Sequence, residues 1–390
     1  MKRRPRSGEK TSIIKKEDRP ARIGLVLSGG GSRAAYQVGA LKALRNYITE
    51  SKSPISCIIG SSIGSVNGLI LAACLHKGLD AAIEELETLW LNRTFRTTFS
   101  GSPSMAFLRA VKVAFVNYAR DPGPHATDEA IFDPTPLMSA IDDVLIRHGG
   151  VTSNNLPEGL DVVGVMTTIE GAERRPLLFV TTRDEIPENV LDRASFQVHR
   201  VQSMTAKHGF ASAALPTVLP PVELDIEGGS VSLVDGGISQ NVPVDPAVRL
   251  GAERVIVLDV SGRDWWLRRY GEALDKRPDW EVPAAPDTLC LIPPETFVGR
   301  CQEPLGPLLE QTVGSSNREF MQALGATWPV YRLIRKRLGH DVAYETMTYV
   351  ALHPEYSRAL IERGYNETIS LLRQRETPEF KRLQDYKKWY

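Results

Sequence analysis

Gly60-Ser61-Ser62-Ile63-Gly64 stands between a short apolar run and a helical pattern. In a strand-to-helix turn of the form G-x-S-x-G, small neighbours leave the central serine hydroxyl exposed on a sharp bend. The helix that follows points its N-terminus at that hydroxyl and favours negative charge developing there. Ser62 is thus a candidate nucleophile, with Gly60 and Gly64 shaping its elbow. A second group, Gly29-Gly30-Gly31-Ser32-Arg33-Ala34, offers consecutive backbone N–H groups able to cradle an oxyanion. The third is Asp235-Gly236-Gly237, a carboxylate leaving an apolar strand into two glycines. Alone it reads as a turn former; beside a nucleophile it reads as a base.

Two rival chemistries use the same residues. Gly29-x-Gly31-x-x-Ala34 also satisfies the dinucleotide fingerprint G-x-G-x-x-G/A, which calls for an acidic residue at the end of the next strand. Glu50 has the spacing but precedes that strand, whose end carries Gly60-Ser61-Ser62. An α/β-hydrolase triad in the order Ser62, Asp235, His is the other, with His340 or His353 as its third member. The remaining histidines (His76, His125, His148, His199, His208) show no metal-ligand spacing, and the expectation is no metal and no cofactor.

The elements that must position these groups follow a strand–loop–helix grammar. Ile23–Leu27 reads as a buried strand, and a helix is predicted from about Ala34 to Ile48. Cys57–Ile59 and Ile63–His76 repeat the pattern, as in a parallel α/β sheet. Further strands are predicted at Val162–Thr168, Leu177–Val180, Ser232–Val234 and Val255–Val260, with weaker ones at Leu289–Ile292 and Tyr349–Leu352. Met105–Arg120 reads as an amphipathic helix, and Thr135-Pro136-Leu137 opens another with proline in its first turn. From Arg263 to about Gly339 the strand signal nearly stops. The predicted organisation is a basic tail (1–21), a catalytic core (22–262), a helical cap or insertion (263–345), a closing strand and helix (346–375) and a C-terminal tail (376–390).

The 390 residues carry 47 Lys+Arg and 47 Asp+Glu, a balance that argues against nucleic-acid binding. The balance is uneven along the chain. Residues 1–22 hold nine basic and three acidic side chains, a surplus of six that the body offsets. Such a tail is usually solvated, but it also suits an anionic membrane surface. The longest apolar run, Gly68 to Leu75, is too short to span a bilayer, and no secretory signal is visible. Cys57, Cys74 and Cys290 lie in apolar surroundings and read as core residues; Cys301 does not. These features suit a reducing, cytoplasmic setting with surface contact to membranes, for which Met105–Arg120 and Trp265–Tyr270 supply apolar bulk beside basic charge.

Taken together and in this order, the three groups resemble the patatin-like phospholipases. In that family a G-G-G-x-R-G loop supplies the oxyanion hole, a G-x-S-x-G elbow the nucleophile and a D-G-G/A motif the base. The A-S-x-A-x-P stretch at Ala211–Pro216, Asn241-Val242-Pro243, and Thr135-Pro136-Leu137 after Asp133 are similar to family features as well. Ala34 departs from the family's usual glycine. The resemblance covers roughly Ile23 to Val260, with a closing segment at Thr348–Arg373. It implies a three-layer α/β/α fold with a mostly parallel sheet, a Ser62–Asp235 dyad, and an oxyanion hole drawn from Gly29, Gly30, Gly31, Ser32 and Arg33. Gly236 and Gly237 would complete the base motif. The implied activity is hydrolysis of fatty-acyl esters of membrane phospholipids or other lipids through an acyl-enzyme. A catalytically silent scaffold is the alternative from another class. Oligomeric state is left open.

Overall fold

The structure, a computed structural model, describes residues 21–50, 54–100, 131–171, 173–186, 194–216, 218–262, 296–301, 304–314 and 316–373. The strands β1 (Ile23–Leu27), β2 (Ile55–Ser61), β3 (Val162–Ile169), β4 (Pro176–Thr182) and β8 (Arg254–Asp259) are almost wholly buried. Continuous burial is what a strand covered on both faces requires. Side chains alternate across the sheet. Leu25, Leu27, Ile58, Ile256 and Leu258 enter the larger core, whereas Val26, Cys57, Ile59, Val255 and Val257 enter a smaller one on the opposite face.

Among the described residues the sheet has nine strands, completed by β5 (Gln197–Arg200), β6 (Val222–Ile226), β7 (Gly229–Val234) and β9 (Thr296–Arg300). Its order is β9-β8-β1-β2-β3-β4-β5, with β7 on the end of β3 and β6 on β7. The pairs from β9 to β3 are parallel, β3–β4 and β3–β7 antiparallel, and β4–β5 parallel. It is thus a mixed, predominantly parallel sheet flanked by helices. The larger core is covered by α1 (Ala35–Glu50), α2 (Ile63–Cys74), α3 (Leu79–Leu91), α5 (Thr135–Arg147) and α6 (Ala206–Ala213), while a short α4 (Phe95–Thr98) joins a third, small cluster through Phe95. The smaller core is covered by α7 (Val244–Arg249). The chain closes with α8 (Asn317–Leu324), α9 (Trp328–Leu338), α10 (His340–Met347) and α11 (Pro354–Arg373). A Cβ on Gly39 of α1 would lie 1.8 Å from the Ile361 carbonyl, and one on Gly364 of α11 would lie 2.1 Å from that of Tyr36. The two helix backbones touch, and only glycine permits it.

Three expectations change. The segment after residue 262 contains β9, which extends the main sheet rather than lying in a separate helical cap. Leu305, Leu309, Val313, Phe320, Tyr331 and Tyr344 then join the same core as β1 and α1, so the described residues from 304 to 344 are packed as part of the body. Tyr349–Leu352 forms no strand. It links α10 to α11 and turns a carbonyl toward the glycine loop instead. Cys301, read as outside the apolar interior, is buried. The tail 1–20, Met105–Arg120, Trp265–Tyr270, Leu289–Ile292, Cys290, His125 and the C-terminal tail lie outside the described residues.

Candidate active site

Register brings the three groups together. Leu27 pairs with Gly60 and with Leu258, so the loop after β1 and the elbow after β2 emerge at the same carboxyl edge of the sheet. Crevices there are where open α/β sheets bind ligands. Ser61 pairs with Met166 in β3, and two residues on Thr168 pairs with Val234 in β7. Because β7 runs antiparallel to β3, its C-terminus delivers Asp235 beside Ser62.

Ser62 has φ 53° and ψ −136°, a conformation costly for a residue with a side chain. Its surroundings enforce it. A Cβ on Gly60 would sit 2.4 Å from the Gly64 carbonyl, and one on Gly64 would sit 2.4 Å from that of Leu27. The Ser62 N–H donates to Ser212 Oγ at 2.8 Å. Ser212 Oγ also contacts Ser65 Oγ at 2.8 Å and donates its own proton to the Met166 carbonyl, so Ser65 must be the donor to it. Ser62 Oγ donates to Asp235 Oδ2 at 2.6 Å.

Asp235 is fixed from several sides. Its Oδ1 accepts the Gly237 N–H at 2.7 Å, its own N–H donates to the Ala214 carbonyl at 2.9 Å, and its carbonyl accepts Thr168 Oγ1 at 2.8 Å. The Gly236 N–H donates to the Ser212 carbonyl. The Ala211–Pro216 stretch, singled out in the sequence for its A-S-x-A-x-P pattern, therefore anchors both the elbow and the carboxylate. Burial raises the Asp235 carboxyl from 3.8 to about 6; the hydrogen bonds from Ser62 and Gly237 pull it down by less. A buried carboxylate of this basicity, receiving a serine proton, can act as a general base near neutral pH.

The glycine loop faces Ser62. Gly29 donates its N–H to the Asn241 carbonyl at 3.3 Å and Ser32 donates its N–H to that of Tyr349 at 2.8 Å. Ser32 is thereby removed from the expected oxyanion donors. The N–H groups of Gly30 and Gly31 have no protein acceptor among the described residues. Arg33 is also corrected. Its side chain, 1% exposed, points away from the crevice and pairs with Glu345 at 2.7 Å. It further donates to Thr348 Oγ1 at 2.7 Å and lies 3.7 Å over the Tyr349 ring. From beneath, Gln37 Nε2 donates to the Ser28 and Leu258 carbonyls, and Asn67 Nδ2 donates to Gln37 Oε1 and the Ala34 carbonyl. Trp90 Nε1 donates to Asn67 Oδ1. Ala34 itself is fully buried, so the missing glycine leaves the loop packed.

Gly29, Gly30, Gly31, Ser32, Ser62, Asp235 and Gly237 line one cavity of about 410 Å³; Arg33, Gly60, Gly64 and Gly236 stand behind its wall. The rest of the lining is largely apolar, with Trp90, Phe95, Phe99, Phe132, Phe210 and Leu352 prominent. Phe95, Phe99 and Phe132 pack on one another at ring separations of 4.7–5.3 Å. No histidine is among the lining residues. His340 contacts Glu310, and His353 Nδ1 accepts the Glu355 N–H. Glu50, the would-be ribose partner, ends α1. No cluster of three metal-ligating side chains occurs among the described residues. Sequence reasoning missed Ser212, Gln37, Asn67 and Glu345. Polar types among the apolar positions of α1 and α2 were the available signal for Gln37 and Asn67; Glu345 had none.

A sequence model of the patatin-like phospholipase family matches residues 25–248. Patatin-like phospholipase domain-containing protein ZK370.4 of Caenorhabditis elegans is 30% identical over 255 residues, covering 65% of this chain and 14% of that protein. Lysophospholipase NTE1 of Cryptococcus neoformans is 27% identical over 256 residues, covering 65% and 12%. The chain thus spans about one seventh of the length of the curated relatives it matches. The human GIVD cytosolic phospholipase A2 complexed with methyl γ-linolenyl fluorophosphonate aligns at 14% identity and a TM-score of 0.38, over 90% of this chain and 58% of that one.

Proposed function

This chain belongs to the patatin-like phospholipase family, and on that premise we propose that it hydrolyses fatty-acyl esters of phospholipids through a Ser62–Asp235 dyad. Ser62 Oγ attacks the ester carbonyl carbon while Asp235 Oδ2 takes the hydroxyl proton. The tetrahedral oxyanion is met by the Gly30 and Gly31 N–H groups, each such donor lowering the barrier by about 2.7–4 kcal/mol. Asp235 then protonates the departing alkoxide, leaving an acyl-Ser62 ester. Water attacks that ester, Asp235 takes its proton, and the proton returns to Ser62 Oγ as the fatty acid leaves. The catalytic unit is residues 22–373, and it works on a membrane from one face. Among the described residues no helix is long and apolar enough to cross a bilayer.

The observation that carries this reading is the 2.6 Å bond from Ser62 Oγ to a carboxyl raised to about 6, at the polar end of an apolar cavity. Gln37 and Asn67 hold the glycine loop from below and Arg33 from the side; none touches the reacting atoms. The test is labelling by an alkyl fluorophosphonate together with mass spectrometry of products from mixed lipids. The expected result is one adduct on Ser62 and release of free fatty acid, both lost in Ser62→Ala. Fatty-acid release that survives Ser62→Ala would overturn the assignment.

A further inference from the structure

Helix α9, Trp328–Leu338, has the sequence WPVYRLIRKRL, with four basic residues and no acidic one. Only Tyr331 is buried. Val330, Leu333 and Leu338 are 42%, 58% and 55% exposed. Single exposed apolar residues are ordinary, but three on one eleven-residue helix are not. Arg332, Arg335, Lys336 and Arg337 are exposed as well, and none makes an ion pair with a carboxylate among the described residues. Arg332 lies over the Trp328 ring and Arg335 reaches the Tyr331 hydroxyl, so the positive charge of the helix is not neutralised.

The helix also begins at the cavity. Ala326 packs with Phe95 and Phe132, Thr327 lines the cavity, and Trp328 follows. Leu215, another lining residue, is 46% exposed. The helix that carries these exposed apolar side chains therefore starts at the wall of the cavity that ends at Ser62.

We infer that α9 is the surface by which this protein docks on an anionic lipid bilayer, its apolar side chains entering the acyl boundary and its basic ones meeting lipid phosphates. Apolar side chains beside uncompensated positive charge match that interface and mismatch both bulk water and an acidic soluble partner. The inference rests on the lipid-hydrolase reading for its meaning but on α9 alone for its geometry. Docking here sets the cavity mouth against the bilayer, so a lipid passes from membrane to Ser62 without crossing water.

The test is flotation of the full chain, in a Ser62→Ala background, with phosphatidylcholine vesicles containing or lacking phosphatidylserine. Each basic residue at an anionic surface strengthens partition about fivefold. Lys336→Gln with Arg337→Gln should therefore weaken binding to the phosphatidylserine vesicles about 25-fold, and Leu333→Ser about tenfold. All three positions are exposed, and an unchanged thermal midpoint verifies folding. Unchanged binding in these variants, or equal binding of the parent chain to vesicles without phosphatidylserine, overturns the proposal. So does a lipid-free oligomer that dissociates in Leu333→Ser, which would make α9 a contact between copies. Hydrolysis of a short water-soluble ester by chains retaining Ser62 separates the two readings. Parent and Lys336→Gln/Arg337→Gln should cleave it equally, and no cleavage by the parent would sink the catalytic reading while leaving the vesicle result standing.

Discussion

The elbow and the glycine loop face each other across one crevice, yet they are held by different physics. The elbow is held by steric exclusion within its own turn and against the adjacent strand β1: Gly60 and Gly64 leave no room for any side chain, and the turn between β2 and α2 follows from them. The glycine loop is held from afar. Arg33 and Glu345 are 312 residues apart and almost fully buried, and Ser32 hangs on the Thr348 and Tyr349 carbonyls. A local turn is shaped by steric exclusion. A loop of consecutive glycines has no such stiffness, so its geometry must be imposed by tertiary contacts.

The sharpest way to break this contrast is Glu345→Ala. It leaves the Arg33 charge buried without its partner, which should destabilise the fold by about 3–5 kcal/mol in chemical denaturation. In the protein that stays folded, kcat should fall by about 10²-fold, the scale of a small misplacement of catalytic groups. Glu345→Gln, which keeps acceptors for Arg33 at lower charge, should recover part of both. A stability loss with unchanged kcat would show that the loop needs no support from α10.

Asp235→Asn probes the point where loop and elbow meet. The rise from 3.8 to about 6 corresponds to about 3 kcal/mol of disfavoured ionisation in the folded state. A carboxyl raised in this way contributes stability that is fully present below pH 3.8 and is lost as pH rises through about 6. The parent chain should therefore lose about 3 kcal/mol over that window, and Asp235→Asn should not. Activity runs the other way. The base must be ionised, so kcat/KM should fall as pH drops through about 6, and Asp235→Asn should cost about 10²–10⁴-fold above that pH and progressively less below it. Parallel stability curves for the two proteins would remove the buried carboxylate from the account.

The smallest effect is expected at the distant contact that the elbow makes through its backbone N–H. Ser212→Ala removes the acceptor for the Ser62 N–H and should cost about 1–2 kcal/mol by thermal unfolding. Glycine sterics remain, so the turn should persist and kcat should drop by only about tenfold. A loss as large as that of Glu345→Ala would mean the elbow, too, is held from outside.

Much of the fold was legible because it rests on local rules. The parallel strands at Ile23, Ile55, Val162 and Arg254 start within two residues of their sequence-based positions, since continuous apolar runs bounded by glycine or polar loops have few other uses. Strand β5 was missed because Gln197–Arg200 has no apolar pattern. Strand β6 was missed although Val222, Leu224 and Ile226 alternate with Glu223 and Asp225 before the Glu227-Gly228 turn, a readable hairpin. Strand β9 was missed because Thr296–Arg300, with the sequence TFVGR, is short and gives no periodicity to detect. Tyr349–Leu352 was assigned to a strand because it is apolar; its backbone serves the glycine loop instead.

Sequence by itself determined the candidate groups: an elbow serine, a run of glycines and a carboxylate before two more, each tied to a short segment by residue size and backbone freedom. It also determined that the acidic body carries a basic tail. Only the tertiary structure decided which N–H groups of the glycine loop stay open, because those of Gly29 and Ser32 are taken by Asn241 and Tyr349. It turned Arg33 inward onto Glu345 and gave Ser212 its place under the elbow. It also left the apolar and basic residues of α9 in solvent beside the cavity. The reason is the same in each case. Size and conformational preference belong to a residue, whereas the partner of a hydrogen bond, a charge or an apolar face is set by what the fold brings to it.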